Sequence, residues 1–264
     1  MNPVPEMLIL AGGFGTRLRS VVSDVPKPLA PVAGRPFLYY LIESWIRQGA
    51  TKLTLLLHHE APLVEKFCSA AQRAGLWRDC QFRTLVEPTP LGTGGAVAYA
   101  VQQLRLTGSF LVANADTWIG SGVREISAAA PPSIATIQVQ NTERYGRMRI
   151  DGRRVMAFEE KQASEGPGWI NAGLYHLHAN YFTEWDGCPF SLEGEIFPAL
   201  ASNGELSAVP LKTDFIDIGI PDDYFRFCRW IETDRRESGF PPVPAACPHE
   251  CAKDGQYFDP SEIP

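Results

Sequence analysis

The feature that most constrains the fold of this chain is an alternation of short apolar segments with longer segments whose apolar residues recur at helical spacing. The apolar segments MLILA, KLTLLLHH, QFRTLVE and GSFLVANAD predict strands. The segments between them, PFLYYLIESWIRQGA, APLVEKFCSAAQRAG and GTGGAVAYAVQQL, predict helices. Alternating strands and helices form a mostly parallel sheet covered on both faces, with ligands bound at the carboxyl ends of the strands.

The second half of the chain has a different texture. From about residue 133, the segments SIATIQVQ, GRMRID, RVMAFEEK and INAGLYHLHANYF are typical of strands in a mixed sheet with hairpins. We therefore expect residues 1–132 to form one part of a domain and residues 133–232 to form a smaller, β-rich lobe that closes over it. Residues 233–264 are rich in proline and charge and show little periodicity, which predicts a tail.

Composition narrows the function classes. A formal net charge of −6 argues against a nucleic-acid binder, because such proteins normally present a basic face. We expect neither membrane association nor export, since the sequence lacks an apolar run of about 18 residues and its start does not resemble a signal peptide. The expected location is therefore the cytoplasm. There the six irregularly spaced cysteines would stay reduced.

The segment LILAGGFGTRL, residues 8–18, places a glycine-rich turn directly after a predicted strand. Such a turn offers backbone N–H groups to phosphate oxygens. It lacks the third glycine and the acidic partner of a dinucleotide fingerprint, and it lacks the Gly-Lys-Ser/Thr of a P-loop. From these residues alone, an ordinary strand-to-helix turn is an equal alternative. Arg17 follows, and then Lys27 between two prolines that restrict its backbone, which favours an anion site.

These motifs resemble those of a known family. AGGFGTRL followed by PKP is similar to the signature of the sugar-1-phosphate nucleotidylyltransferases, which join a nucleoside triphosphate to a sugar 1-phosphate and release pyrophosphate. The later motifs occur in the family's order, so the resemblance covers about residues 7–230; they are EPTPLGTGGA, VANAD, RYG, FEEK, NAGLY and DFIDIGIPDDY. EPTPLGTGGA, FEEK and FIDIGIPDDY most resemble the D-glycero-D-manno-heptose 1-phosphate guanylyltransferases of surface-polysaccharide synthesis. One departure is Ala115, where the family often has glycine, and we expect it to change the turn only slightly.

The resemblance implies a Rossmann-like α/β nucleotidyltransferase fold with a sugar-binding lobe, and it implies a set of site residues. The catalytic residues would be Arg17, Lys27, Asp116, Lys161 and Asp217. The nucleotide would be held by Ala11, Gly12, Gly13, Gly15, Thr16, Arg17, Glu87, Pro90, Gly92 and Thr93. The sugar and its phosphate would be held by Gly146, Glu160, Lys161, Asn171 and Gly173.

The chemistry explains why these residue types are needed. Two phosphate esters repel each other, so cations must surround the reacting phosphorus. Asp116 ends an apolar strand and Asp217 follows a short apolar run, and Mg²⁺ favours one or two carboxylates completed by phosphates and waters. We therefore predict that these two residues bind Mg²⁺. The alternatives are a helix N-cap for Asp116 and a turn-forming role for Asp217.

Base choice is predicted from Glu87. Guanine presents N1–H and a 2-amino group side by side, and an ionised carboxylate can accept hydrogen bonds from both. GTP is therefore the expected donor, while mannose-1-phosphate guanylyltransferases and uridylyl- or thymidylyltransferases stay as alternatives. A non-catalytic regulatory subunit that binds nucleotide sugars and a dinucleotide-dependent oxidoreductase are the candidates from other classes. The sequence leaves a homodimer open.

Two further groups of residues look chemical but favour ordinary explanations. His58 and His59 close a predicted strand on the ligand side, where contact with a loop or solvent is the favoured interpretation over contact with substrate. Cys247, His249 and Cys251 lie close together, but their spacing matches no common zinc module and a structural zinc site usually has four ligands. We expect free thiols there.

Overall fold

The computed structural model of this protein describes residues 3–159 and 166–237. Within them the strands are β1 Met7–Leu10, β2 Pro31–Val32, β3 Arg35–Pro36, β4 Lys52–Leu57, β5 Gln81–Val86, β6 Ser109–Asn114, β7 Thr117–Ile119, β8 Ser133–Val139, β9 Arg147–Asp151, β10 Arg154–Glu159, β11 Gly168–His178, β12 Ser207–Leu211 and β13 Phe215–Asp217. The α-helices are α1 Phe37–Arg47, α2 Ala61–Arg73, α3 Gly92–Leu104, α4 Val123–Ala128, α5 Phe197–Ser202 and α6 Pro221–Glu237.

One mixed sheet organises the described residues. Its nine strands have the order β5-β4-β1-β6-β11-β8-β12-β10-β9. The first four strands are parallel. Strand β11 then joins them in the antiparallel direction along β6, so the strands after residue 132 extend the sheet of the first part. Two short antiparallel pairs, β7 with β13 and β2 with β3, lie outside this sheet.

Helices cover both faces of the sheet because successive side chains of a strand point to opposite sides. Met7 and Ile9 of β1 lie in one apolar cluster, which also contains the buried faces of α1, α2, α4 and α6. Leu8 lies in a second cluster with the buried faces of α3 and α5. This is the helix-covered α/β sheet predicted from the alternation. In the described part of the chain, no helix combines the length and apolarity needed to cross a membrane.

The observed elements agree with the predicted ones in the first part of the chain and differ at two later places. Helix α3 has the predicted bounds, and β1, β4, β5 and β6 end within two residues of the predicted positions. Helix α6, however, continues to Glu237, past residue 233, where we placed the start of the tail. The predicted strand over 170–182 ends at His178 and is followed by a 3-10 turn at Ala179–Phe182.

Candidate active site

Three of the predicted catalytic side chains meet beyond the carboxyl end of β6. Lys27 Nζ donates a hydrogen bond to Asp116 Oδ2 at 2.7 Å, and it lies 3.8 Å from Asp217 Oδ1. These residues are 89 and 190 positions away from Lys27 in sequence, so only the fold brings them together. The cluster lies at the edge of the sheet where ligands of parallel α/β folds bind.

Short local structures hold the two carboxylates. Strand β7 follows Asp116 directly, and it pairs with β13 so that Thr117 lies opposite Asp217. The Ile218 N–H donates to Asp116 O at 3.0 Å, which ties the two strand ends together. Gly219 N–H donates to Asp217 Oδ1 at 2.7 Å. A side chain at Gly219 would crowd both groups, because its Cβ would lie 2.8 Å from Asp217 Oδ1 and 3.3 Å from Lys27 Nζ.

The glycine turn positions Lys27. Gly15 has a φ of 59°, a conformation that favours glycine, and its ideal Cβ would lie 2.9 Å from Lys27 Cβ. Pro26 is extended, and Lys27 begins the 3-10 turn Lys27–Leu29 that contains Pro28. The two motifs predicted to bind phosphate therefore pack on each other, and Gly15 is required for that contact.

The pKa values of the two carboxyl groups in the cluster are shifted in opposite directions. Burial by itself would raise the pKa of Asp116, but the charge and hydrogen bond of Lys27, with a contribution from Arg17, bring that pKa below its ordinary value. Burial and the neighbouring charge of Asp116 raise the pKa of Asp217, against the effects of Lys27 and Arg17. Asp116 and Asp217 therefore repel each other, and a further cation beside them would relieve this repulsion.

Arg17 lies near the cluster without contacting it. It is exposed in the 3-10 turn Thr16–Leu18, and its positive charge reaches both carboxyl groups. Thr16 is also exposed. In this arrangement both side chains are available to an incoming anion, as the prediction requires.

The two carboxylates fit the donor set that Mg²⁺ prefers when substrate phosphates and waters complete its shell. In the described residues, no group of three or more His, Cys, Asp or Glu side chains is arranged to hold a metal ion. Protein ligands alone would thus leave most of the metal's coordination positions to substrate and water.

The residues predicted to bind the nucleotide lie at the ends of β1 and β5 and beside the end of β4. Ala11 is buried and extends β1, since its N–H donates to Leu56 O at 2.9 Å. Gly12 lies beside His58 and Glu87, because an ideal Cβ on it would be 3.2 Å from His58 Cβ and 3.3 Å from Glu87 Oε1. Gly13 is exposed. The turn therefore presents its backbone next to a buried carboxylate.

Glu87 is only 6 % exposed. Burial raises the pKa of its carboxyl group, against the hydrogen bond from Leu91 N–H to Oε2 at 3.1 Å and the nearby His58. Pro90, on the loop that leads from Glu87 to α3, and Gly92, the first residue of α3, are both exposed. A buried carboxylate beside an exposed loop can recognise a base edge that supplies two hydrogen-bond donors.

His58 and His59 contact residues of the neighbouring loops. His58 Nδ1 lies 3.3 Å from Glu87 O, and the ring of His59 packs on the exposed ring of Phe14, with centroids 5.0 Å apart. Arg19 Nη2 lies 2.9 Å from His59 Nε2. These contacts agree with the favoured loop interpretation.

The Thr93 side chain forms hydrogen bonds with residues 192 and 193, for which the sequence predicts no role in the site. Its hydroxyl donates to Glu193 Oε2 at 2.6 Å and accepts from Leu192 N–H at 2.9 Å. Phe190 O accepts from Gly94 N–H at 3.0 Å. The first turn of α3 is therefore bound to residues 190–193, and no local sequence signal links the two segments.

Two of the residues predicted to bind the sugar, Asn171 and Gly173, lie on β11. Asn171 Oδ1 accepts from Gly173 N–H at 2.8 Å, and Asn171 Nδ2 donates to Tyr175 Oη at 2.9 Å. The Tyr175 hydroxyl donates in turn to Glu193 Oε1 at 3.3 Å. Glu193 thus connects Asn171, predicted to bind sugar, with Thr93, predicted to bind nucleotide.

The remaining predicted sugar residues are placed in part. Gly146 lies beside the end of β10, since its ideal Cβ would be 3.7 Å from Glu159 O. Glu160 and Lys161, which follow β10 in sequence, lie outside the described residues, as do Cys247, His249 and Cys251. Their assigned roles stay predictions.

Comparison with known proteins identifies the family. The family model described as nucleotidyl transferase matches residues 6–233. The chain belongs to this family. Its predicted membership and its mixed α/β nucleotidyltransferase fold are thereby confirmed.

Two of the curated relatives of this nucleotidyl transferase are heptose 1-phosphate guanylyltransferases. The chain is 29% identical over 225 residues to a D-glycero-alpha-D-manno-heptose 1-phosphate guanylyltransferase of Campylobacter jejuni, covering 84% of this chain and 98% of that protein. It is 32% identical to an enzyme of the same name from Aneurinibacillus thermoaerophilus, covering 83% and 95%. It is also 29% identical to mannose-1-phosphate guanyltransferase beta-A of Xenopus laevis, covering 88% of this chain and 66% of that one.

Solved structures agree with this assignment. HddC from Yersinia pseudotuberculosis, in complex with GMP-PN, superposes with a TM-score of 0.74 at 33% identity, over 86% of this chain and 99% of HddC. A UDP-glucose pyrophosphorylase bound to UDP-glucose has a TM-score of 0.71 at 17% identity, over 88% of this chain and 100% of that one. The second likeness shows the shared fold alone.

Proposed function

We propose that this chain transfers GMP from GTP to D-glycero-α-D-manno-heptose 1-phosphate in the cytoplasm, giving a nucleotide sugar for surface-polysaccharide synthesis and pyrophosphate. The observation that carries this proposal is the meeting of Lys27, Asp116 and Asp217 at the edge of the sheet. The two heptose guanylyltransferase relatives, which the chain matches over nearly their whole length, support the choice of substrates.

The reaction is a displacement at the α-phosphorus of GTP. An oxygen of the sugar 1-phosphate forms a bond to this phosphorus as the bond to the bridging oxygen of the β-phosphate breaks, and pyrophosphate leaves with the electron pair. The attacking phosphate is already ionised, so the step needs no general base. Catalysis then consists of positioning the reactants and stabilising charge.

The residues of the site supply those two effects. Lys27 lies between the carboxylates and faces the reacting phosphates, and exposed Arg17 stabilises the departing pyrophosphate. The turn from Ala11 to Gly15 holds the triphosphate through its backbone N–H groups. Mg²⁺ held by Asp116 and Asp217 would neutralise phosphate charge, since the repulsion between these carboxylates favours a cation beside them.

The specificity of the reaction rests on Glu87 and Asn171. Glu87 accepts hydrogen bonds from N1–H and the 2-amino group of guanine, beside the loop that contains Pro90. Asn171, whose orientation is fixed by Gly173 and Tyr175, contacts a sugar hydroxyl. A wrong sugar would leave such a polar group unpaired, which is costly in a buried site.

A second candidate acceptor is mannose 1-phosphate, which the relatives named mannose-1-phosphate guanyltransferase favour. The test measures pyrophosphate release for each pairing of GTP, ATP, UTP or dTTP with heptose, mannose or glucose 1-phosphate. The proposal predicts the highest kcat/KM for GTP with the heptose. A preference for mannose 1-phosphate would replace the acceptor, and a preference for UTP or dTTP would overturn guanine recognition. Nucleotide binding without release from any pairing would indicate a non-catalytic protein.

A further inference from the structure

The loop between β8 and β9, residues 140–146, carries the RYG motif and ends at Gly146. Gly146 lies beside the main chain of Glu159 at the end of β10. The loop is mostly exposed, with Thr142 buried beside Gly168 of β11. Arg144 and Tyr145 connect it to α6 and β13.

Arg144 reaches the first turn of α6. Its Nη1 donates a hydrogen bond to Asp223 Oδ2. Asp223 is only 6 % exposed, and its other oxygen, Oδ1, lies 3.1 Å from Arg226 Nη2 on the same helix. A buried carboxylate is costly unless it is paired. Asp223 is thus paired twice, once within α6 and once with the loop.

A ring contact supports the same connection. Tyr145 packs edge-to-face on Phe215 of β13, with ring centroids 5.7 Å apart. The Arg144 guanidinium carbon lies 5.4 Å from the centroid of the Tyr145 ring. Strand β13 ends at Asp217, and α6 begins at Pro221. The loop is therefore bound on both sides of the segment that carries a candidate metal ligand.

The charge distribution agrees with this geometry. Burial by itself would lower the pKa of Arg144, but its hydrogen bond to Asp223 and the charges of Asp223 and Asp217 raise that pKa overall. Arg144 is therefore near enough to Asp217 for the two charges to interact.

We propose that Arg144 and Asp223 are positioning residues, which clamp residues 140–146 against β13 and α6 and so set the place of the sugar 1-phosphate relative to the reacting cluster. This inference rests on the proposed function. Neither side chain touches the reacting atoms in this account. The clamp acts through the backbone at Gly146, so its loss affects the sugar phosphate and spares GTP.

A role limited to neutralising Asp223 makes a different prediction. Arg226 also pairs with Asp223, and it does so from the same helix. If neutralisation were the whole role, Arg226→Gln would have the same effect as Arg144→Gln. Under the clamp, Arg144→Gln disturbs the sugar phosphate and Arg226→Gln does not.

The experiment compares the full-length wild type with Arg144→Gln, Asp223→Asn, the double variant and Arg226→Gln. Arg149→Gln, an exposed change on β9, is the matched surface control. We expect Arg144→Gln to raise KM for the sugar 1-phosphate about tenfold, the scale of one hydrogen bond between charged groups, with KM for GTP unchanged. Amide hydrogen exchange over residues 140–147 of the substrate-free protein should accelerate. The double variant should be no worse than the poorer single variant.

The two readouts separate the clamp from the proposed function. Unchanged exchange in Arg144→Gln overturns the clamp, whatever the kinetics. Accelerated exchange with an unchanged KM for the sugar phosphate overturns its role in positioning substrate, as does an equal effect of Arg226→Gln. If Asp223→Asn fails to fold, Arg144→Gln still provides the test, because the Arg144 side chain is partly exposed. A wild type that releases no pyrophosphate from any pairing refutes the proposed function, and the exchange arm then decides whether the loop is clamped.

Discussion

The two halves of the sheet position their functional residues in different ways. In the parallel half, β1, β4, β5 and β6 all end at one edge, and Ala11, Glu87 and Asp116 follow the ends of β1, β5 and β6 within two residues. In the mixed half, Asn171 and Gly173 lie inside β11, where its pairing with β8 shifts register between Asn171 and Tyr175. The common direction of the parallel strands places the residues of the first half, and the register shift in β11 places those of the second.

This difference predicts which substitutions affect the chemistry or the choice of base and which affect the affinity for sugar phosphate. At the parallel edge, strand ends bring charges together, so changes there should affect the chemistry or the choice of base. In the mixed half, a chain of hydrogen bonds from Asn171 through Tyr175 to Glu193 fixes a polar side chain. Changes in that chain should affect the affinity for sugar phosphate and leave the reaction at the α-phosphorus intact.

The largest effect is expected for Lys27→Met. This change removes the cation that lies between Asp116 and Asp217, where we propose that the phosphates react. Steady-state pyrophosphate release should fall by about 10²–10³-fold in kcat, the scale of losing one preorganised donor in an active site. A loss below tenfold would show that the chemistry does not depend on the parallel edge.

Asp217→Asn should lower kcat by about 10²-fold, because it removes a carboxylate that would bind Mg²⁺ while keeping an oxygen for Gly219 N–H. The same change should raise the Tm of the metal-free protein at neutral pH. The pKa of Asp217 is raised in the folded state, so its ionisation disfavours folding.

The sign of that stability effect can be checked by changing the pH. The advantage of the Asn variant should be complete above the raised pKa of Asp217. It should vanish as the pH falls below the pKa of an unfolded aspartate, about 3.9, because the group is then protonated in both states. Thermal melts of both proteins from pH 7 to about pH 3 measure it. A constant difference across this range would contradict the electrostatic account.

Glu87→Gln should reduce the preference for GTP over UTP by about 10- to 100-fold in kcat/KM. The amide offers guanine one acceptor and one donor where the carboxylate offers two acceptors, and hydrogen bonds to a charged group contribute about 1.5–3 kcal/mol. Initial rates with each triphosphate measure the ratio. An unchanged ratio would remove Glu87 from base recognition.

The smallest effect is expected in the mixed half. Glu193→Gln should raise KM for the sugar phosphate by about tenfold or less, because the carboxylate that accepts from Thr93 and Tyr175 is lost. Glu195→Gln is the matched control, since Glu195 is exposed in the same turn and its Oε1 accepts from Ser191 N–H. A fall in kcat with no change in KM would contradict the prediction that changes in the mixed half affect the affinity for sugar phosphate and leave the chemistry intact.

The sequence predicted the parallel half well for a physical reason. Strands and helices there follow local periodicity, and parallel strands must end at a common edge, so Asp116 could be placed from its apolar strand alone. The position of Asp217 beside it depends on β7 pairing with β13 across about 100 residues, and no local pattern carries that information. The link between Thr93 and Glu193 depends on a contact of the same range.

The end of α6 shows a different limit. From residue 233 the low apolar periodicity predicts a tail, yet the helix continues to Glu237. Oppositely charged residues at positions i and i+4 support a helix without apolar residues. Glu232 and Arg236 are four positions apart, a spacing that supports a charged helix.

The central claim is that two phosphate esters react at the cluster of Lys27, Asp116 and Asp217. Phosphorus-31 NMR of the wild type with GTP, D-glycero-α-D-manno-heptose 1-phosphate and Mg²⁺ tests it most directly. The account predicts that both substrate signals decay together into a pyrophosphate ester and free pyrophosphate, and that EDTA stops the decay. Release of GDP and orthophosphate, or no consumption of the sugar phosphate, would contradict it.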